Sequence, residues 1–117
     1  MGLIFKKEHI ELVLLGVKTQ TRRRHKHRLK AGRIYDVKTS WTHRTGHKIL
    51  ITKVYTQRLR DITPEEAAKE GNYTIGEFVY VWMRINGEWN PNEFVVVYEF
   101  KVVTQPAHPV RLKGFLW

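Results

Sequence analysis

Cysteine does not occur anywhere in the 117 residues. Its absence excludes disulfide cross-links, a thiolate nucleophile and cysteine-ligated zinc together. Long apolar runs are missing too, with nothing near the roughly 20 residues that a membrane-spanning helix needs. The first residues carry no signal-peptide pattern, so a cytoplasmic protein with no membrane partner is expected. Acid is scarce in one region: between Gly16 and Arg60 the only carboxylate is Asp36, against a series of bases that begins at Lys18. Most of the remaining acids lie from Asp61 onward, so the formal charge of +10, from 21 Lys and Arg against 11 Asp and Glu, is polarised along the chain. Such a field attracts nucleic acid, anionic lipid or acidic partners, or else keeps a bare face solvated.

What is present suffices for one modest core. The hydrophobic share is 42%, with four Trp, five Tyr and five Phe, which fits a single domain of this length. Residues 2–5 read as a short strand. In residues 8–15 the apolar Ile10, Val13 and Leu14 fall on one helix face, with Gly16 as the stop. Lys30-Ala31-Gly32 turns into a strand from Ile34 to Thr39, residues 41–47 form a polar loop, and residues 49–55 form a strand whose phase change predicts a bulge. Thr63-Pro64-Glu65-Glu66 is a capping-box helix start, closed by Gly71, and Thr74-Ile75-Gly76-Glu77 opens a second such helix through Phe78, Val81 and Trp82. Asn86-Gly87 turns the chain into the β-branched run 94–103.

About six strand segments around two or three short helices predict a mixed α+β, mainly β fold shaped as a small barrel. Leu3, Phe5, Ile10, Leu14, Ile34, Val37, Ile51, Val54, Phe78, Trp82, Val95, Val97 and Phe100 are the expected core. Pro106 and Pro109 mark its end, giving a domain over residues 1–104 and a tail over 105–117 that carries Leu112, Phe115, Leu116 and Trp117.

The chemistry concentrates in residues 16–24, Gly-Val-Lys-Thr-Gln-Thr-Arg-Arg-Arg. A cation inside a core needs a partner or must neutralise, so this segment is expected to face water, a ligand or a polyanion. Lys18 with its proton affinity lowered by neighbouring cations is able to activate the Thr21 hydroxyl as a nucleophile; the same pair also suits an anion-binding loop without chemistry. Glu77 has two readings, a proton donor or the third helical residue of a capping box bonded back to Thr74. Arg22, Arg23, Arg24, Lys26, Arg28 and Lys30 are candidate phosphate contacts. Trp41, beside Arg44, is a candidate to stack on a base or to close the barrel end. His25-x-His27 and His43-x3-His47 are embedded in positive charge without nearby carboxylates, so no metal is expected, and no other cofactor.

Gly16-x-Lys18-Thr19-x-Thr21-x-Arg23, the Leu29-Lys30-x-Gly32 turn, Asp61-Ile62-Thr63 with Glu66-Ala67 and Glu70-Gly71, Glu77-Phe78 and the strand ending Glu99-Phe100 together resemble the ASCH domain, one of the PUA-like barrels. The resemblance runs from about Phe5 to Val103. It implies a pseudo-β-barrel of about five to six strands with two to three short helices packed at its side. The cleft between them would serve RNA-related recognition or chemistry, with RNA or a nucleoside as partner. An RNA-binding protein acting in RNA metabolism or translation-related regulation is the first expectation. The alternative is an amidohydrolase, because one branch of small bacterial ASCH proteins removes the acetyl group of N4-acetylcytidine with a lysine, a threonine and a glutamate. By motif these fall on Lys18, Thr21 and Glu77, while Arg22 stands where that branch tends to carry an apolar residue.

Overall fold

The computed structural model describes residues 2–24 and 29–103. In chain order it contains β1 (Gly2–Ile4), α1 (Lys7–Leu14), β2 (Gln20–Arg23), β3 (Ile34–Lys38) and β4 (Arg44–Arg58). A turn of 3-10 helix (Leu59–Asp61), α2 (Pro64–Gly71), α3 (Ile75–Asn86) and β5 (Phe94–Val102) follow. The strands form one curled half-barrel sheet in the order β1-β3-β4-β5-β2. Only the β1–β3 pair is parallel. This is the mixed, mainly β architecture expected from the sequence, with five strands among the described residues.

The β4–β5 ladder is the spine, paired from Ile49↔Val102 to Arg58↔Phe94, and its register shifts between Ile51 and Lys53 where the phase change predicted a bulge. Strand β5 is apolar at nearly every position because both of its faces are covered. Val96, Tyr98 and Phe100 pack with Leu3, Phe5, Val13, Val37, Ile49 and Ile51, whereas Val95 and Val97 pack with Leu59, Ile62, Ala67, Phe78 and Trp82 under α2 and α3. At the far edge, β1 lies so close to β3 that a Cβ on Gly2 would stand 2.3 Å from the Asp36 carbonyl oxygen. Only glycine permits that pairing.

Both capping boxes form, Thr63 with Glu66 and Thr74 with Glu77. Gly71, however, is the last helical residue of α2, and Asn72 takes the left-handed cap at φ 65°. Two expected core residues are exposed: Leu14 (38%) and Ile34 (57%). The inward face of α1 runs through His9 and Val13, one turn apart, which leaves Leu14 past its edge. Ile34 opens β3 beyond the core, and Ile10 and Val54 are half-buried against the first cluster. Strand β4 begins at Arg44 and absorbs much of the expected polar loop. Strand β2 was not anticipated at all; it occupies part of the basic segment and pairs with β5 from Gln20↔Glu99 to Arg23↔Val96. Residue 104 and the tail over 105–117, with its aromatic residues, lie outside the described residues, as do residues 1 and 25–28.

Candidate functional site

The residue before β2 reaches α2 through a backbone bond from the Thr19 N–H to the Lys69 carbonyl at 2.8 Å. That contact sets the basic segment against the one helix face carrying Glu66 and Glu70, four residues apart. Lys18, only 3% exposed, donates from Nζ to Glu70 Oε1 at 2.9 Å and to the Glu70 carbonyl at 2.8 Å. Arg22, equally buried, donates from Nη1 to Glu70 Oε2 at 2.9 Å and to Gln20 Oε1 at 2.6 Å. Its Nε and Nη2 reach Gln57 Oε1 at 3.2 and 2.8 Å, and Nη2 lies 3.2 Å from Glu66 Oε2. Glu66 in turn accepts from the Tyr55 hydroxyl and, at 3.0 Å, from Gln57 Nε2. Of the three settings expected for residues 16–24, water, a ligand or a polyanion, Lys18 and Arg22 do not take the first. Each buried cation has found a carboxylate, which is the condition for burying it.

The surroundings tune proton affinities. Burial lowers Lys18 from the ordinary lysine value; attraction and hydrogen bonding to Glu70 oppose the shift, and the charges of Arg23 and Arg22 add to it. Burial alone would raise Glu66, but hydrogen bonds from Tyr55, Gln57 and the Thr63 amide, with the Arg22 charge, hold its carboxyl at about 2. Tyr55 is raised by burial and by its bond to Glu66. His9, bonded through Nε2 to the Tyr73 hydroxyl at 3.2 Å, is lowered by burial and by Lys18.

Thr21 is buried, and its Oγ1 accepts from Arg23 Nε at 3.0 Å. The same guanidinium donates from Nη1 to the Ile4 carbonyl at 2.7 Å and lies 4.8 Å over the Phe5 ring. Lys18, Thr21, Arg22 and Glu70 border one cavity of about 710 Å³, within the range of about 300–1,000 Å³ usual for small-molecule sites. Phe5, Tyr73, Phe78 and Trp82 provide aromatic wall, while exposed Lys6, Lys7, Arg24 and Trp41 (84% exposed) contribute to its outer part.

The expected site residues thus separate. Lys18 and Thr21 share the cavity. Glu77 does not line it: its carboxylate accepts from the Thr74 amide at 2.9 Å, at the exposed start of α3. The carboxylate beside Lys18 is Glu70, which sequence reasoning passed over although Glu70-Gly71 stood among the quoted motifs. The available signal was the spacing of Glu66 and Glu70 on an amphipathic helix, two acids turned toward one side. Among the phosphate candidates, Arg22 is enclosed, Arg23 is half-buried, and Arg24 is ion-paired with Glu93 and, at 3.4 Å, with Glu88. Lys30 is exposed, Arg44 lies 3.7 Å from Asp36, and Lys26 and Arg28 fall outside the described residues. Among the described residues no group of three or more His, Asp or Glu side chains is arranged to hold a metal, and no helix is long and apolar enough to cross a membrane.

A family model for the ASCH domain matches residues 3–104. An ASCH domain from Lactobacillus crispatus JV V101 superposes with a TM-score of 0.57 at 20% identity, over 79% of this chain and 68% of that one. Protein EF3133 from Enterococcus faecalis V583 gives 0.61 at 21% identity, over 80% of this chain and 65% of that one. Hypothetical protein PH0355 gives 0.64 at 20% identity, over 85% and 94%. The chain therefore spans about two thirds of the length of the first two, and at these identities the likeness carries the fold alone. No curated protein matches the chain.

Proposed function

The chain belongs to the ASCH domain family, and on that premise we propose that it hydrolyses the acyl amide of an acylated nucleobase of the N4-acetylcytidine type. The observation that carries this reading is the Lys18 amine. It is buried, lowered in proton affinity and pinned by Glu70 at 2.9 Å on a cavity it shares with Thr21. A lysine that gives up its proton is a general base; an exposed one at its ordinary value is not. In this scheme Thr21 Oγ adds to the acyl carbon while its proton passes to the Lys18 amine. Arg23, already donating to Thr21 Oγ1, favours the developing negative charge on that oxygen. The carbon–nitrogen bond then breaks as the Lys18 ammonium protonates the leaving amine. Water next cleaves the acyl-threonine ester, releasing the carboxylic acid and restoring the hydroxyl. Glu70 takes the place expected for Glu77, holding the lysine and stabilising its charged form. Phe78 and Trp82 offer apolar wall to a flat base, with Trp41 as a stacking surface at the exposed side.

Binding of polymeric RNA is the second reading, supported by the net charge of +10 and by exposed Lys6, Lys7 and Lys30. The enclosure of Arg22 and the pairing of Arg24 with Glu93 weigh against this reading. One experiment separates the readings: incubation with N4-acetylcytidine, free and within RNA, using wild type and the Lys18→Ala, Thr21→Ala, Glu70→Ala and Glu77→Ala variants. Turnover is expected to fall by about 10²-fold or more in the first three and to persist in Glu77→Ala, whose loss is a helix cap of about 1 kcal/mol. A wild type without turnover that binds RNA with steep salt dependence would replace the enzyme by the RNA-binding module.

A further inference from the structure

Four charged side chains meet at the start of β2: Lys18 from the segment leading into the strand, Arg22 from the strand, and Glu66 and Glu70 from α2. Glu70 divides its carboxylate, with Oε1 to Lys18 and Oε2 to Arg22, both at 2.9 Å. Glu66 Oε2 lies 3.2 Å from Arg22. With Lys18 protonated these charges cancel; with Lys18 neutral a single negative charge is left over.

We infer that Arg22 is a positioning residue that governs the charge of Lys18, holding Glu70 in the orientation that meets the amine and supplying the permanent cation that frees Lys18 to lose its proton. Without Arg22 the same enclosure would hold two carboxylates and one amine. Deprotonating that amine would leave both carboxylates without the cations they are ion-paired with, so the proton stays on. Arginine suits this role because it keeps its charge throughout the accessible pH range and reaches several acceptors from one fixed fork. Here Nε, Nη1 and Nη2 engage Gln57, Gln20, Glu70 and Glu66 at once. The other charges facing Lys18 are Arg23 on β2 and His9 on α1, with Glu8 beside His9. They are present in every variant considered below, so they cancel from the comparison. The direction of the Arg22 influence on Lys18 agrees, since its charge pushes the amine toward the neutral form.

The significance for catalysis rests on the amide-hydrolysis reading; the effect on Lys18 does not. The test is the full chain labelled with ¹³C-lysine, following the Lys18 side-chain resonance against pH, assigned by its absence in Lys18→Met. Arg22→Met should raise the Lys18 midpoint by about one unit, a tenfold change in proton affinity, and Arg22→Lys should restore part of the wild-type value. Glu66→Gln, which retains a capping-box residue and keeps the test alive if Arg22→Met does not fold, should move the midpoint down. A midpoint unmoved or lowered by Arg22→Met, or unmoved or raised by Glu66→Gln, would overturn the inference. If wild type turns over acylated nucleoside, the acid limb of kcat/KM should rise with the Lys18 midpoint in Arg22→Met. Should wild type show no turnover, the enzyme reading fails while the resonance still decides the role of Arg22.

Discussion

Glu70 stands between two buried cations, so removing it has a different consequence from removing either of them. In Glu70→Ala both Lys18 and Arg22 lose a carboxylate partner, and only Glu66 is left to face Arg22. Uncompensated buried charge of this kind costs about 3–5 kcal/mol. Lys18→Met leaves Glu70 paired with Arg22 and replaces an ammonium by an apolar chain of similar length. Urea unfolding should therefore show Glu70→Ala as the more destabilised variant by a clear margin; equal midpoints would mean that Lys18 does not depend on Glu70 for its burial. Conformation matters as much as charge here. A Cβ on Gly71 would stand 2.7 Å from the Tyr73 ring, the ring whose hydroxyl holds His9 and which lines the cavity. The glycine after Glu70 thus gives the site room for its aromatic wall.

At the scale of elements, α2 links the site to acid stability. Its capping box shares Glu66 with Tyr55, Gln57 and Arg22, which together hold the carboxyl at about 2 against an ordinary 4.5. A depressed carboxyl contributes stability that is fully present above the unfolded value and is lost as pH falls through the folded one. The melting temperature should accordingly fall between about pH 4.5 and pH 2, and Glu66→Gln should flatten that part of the curve; calorimetry across this window checks it, and parallel curves would deny Glu66 the role. The same helix explains what was legible in the chain. Thr63 and Glu66, or Thr74 and Glu77, are three residues apart and satisfy one another locally, so their signatures can be read without knowing the fold. That locality also misleads, because Glu77 fits a catalytic motif while being committed to its own cap. Lys18 and Glu70 are separated by 52 positions and Arg22 and Glu70 by 48. Nothing in residues 16–24 announces that carboxylates from so far along the chain will receive them. Strand β2 escaped notice for the same reason, since its cations look solvated until α2 is placed against them. The bulge in β4 was readable from a phase change within seven residues, whereas the side of α1 that turns inward at His9 was decided by what packs on it.

At the scale of the molecule, β1 and β2 are the two ends of the sheet order, and no ladder joins them. The Arg23 side chain does so instead, bonded to Thr21 Oγ1 on its own strand and to the Ile4 carbonyl at the end of β1, and packed over Phe5. Replacing it by leucine keeps an apolar contact with Phe5 but removes hydrogen bonds from a charged donor, worth about 1.5–3 kcal/mol each. Amide exchange in Arg23→Leu is expected to quicken by about tenfold or more at Leu3, Ile4 and Thr21 while the β4–β5 ladder keeps its protection. Uniform acceleration across all strands would assign Arg23 to global stability instead. The cavity is bordered by both of these edges, Gly2 to Phe5 on one and Thr21 to Arg23 on the other. Among the described residues a side chain rather than a ladder spans this seam, and a side chain moves by a change of rotamer with every strand pairing left intact. Rotamer changes are far faster than the local unfolding that separating a ladder would require. Passage of a small molecule between these edges therefore requires no strand to separate.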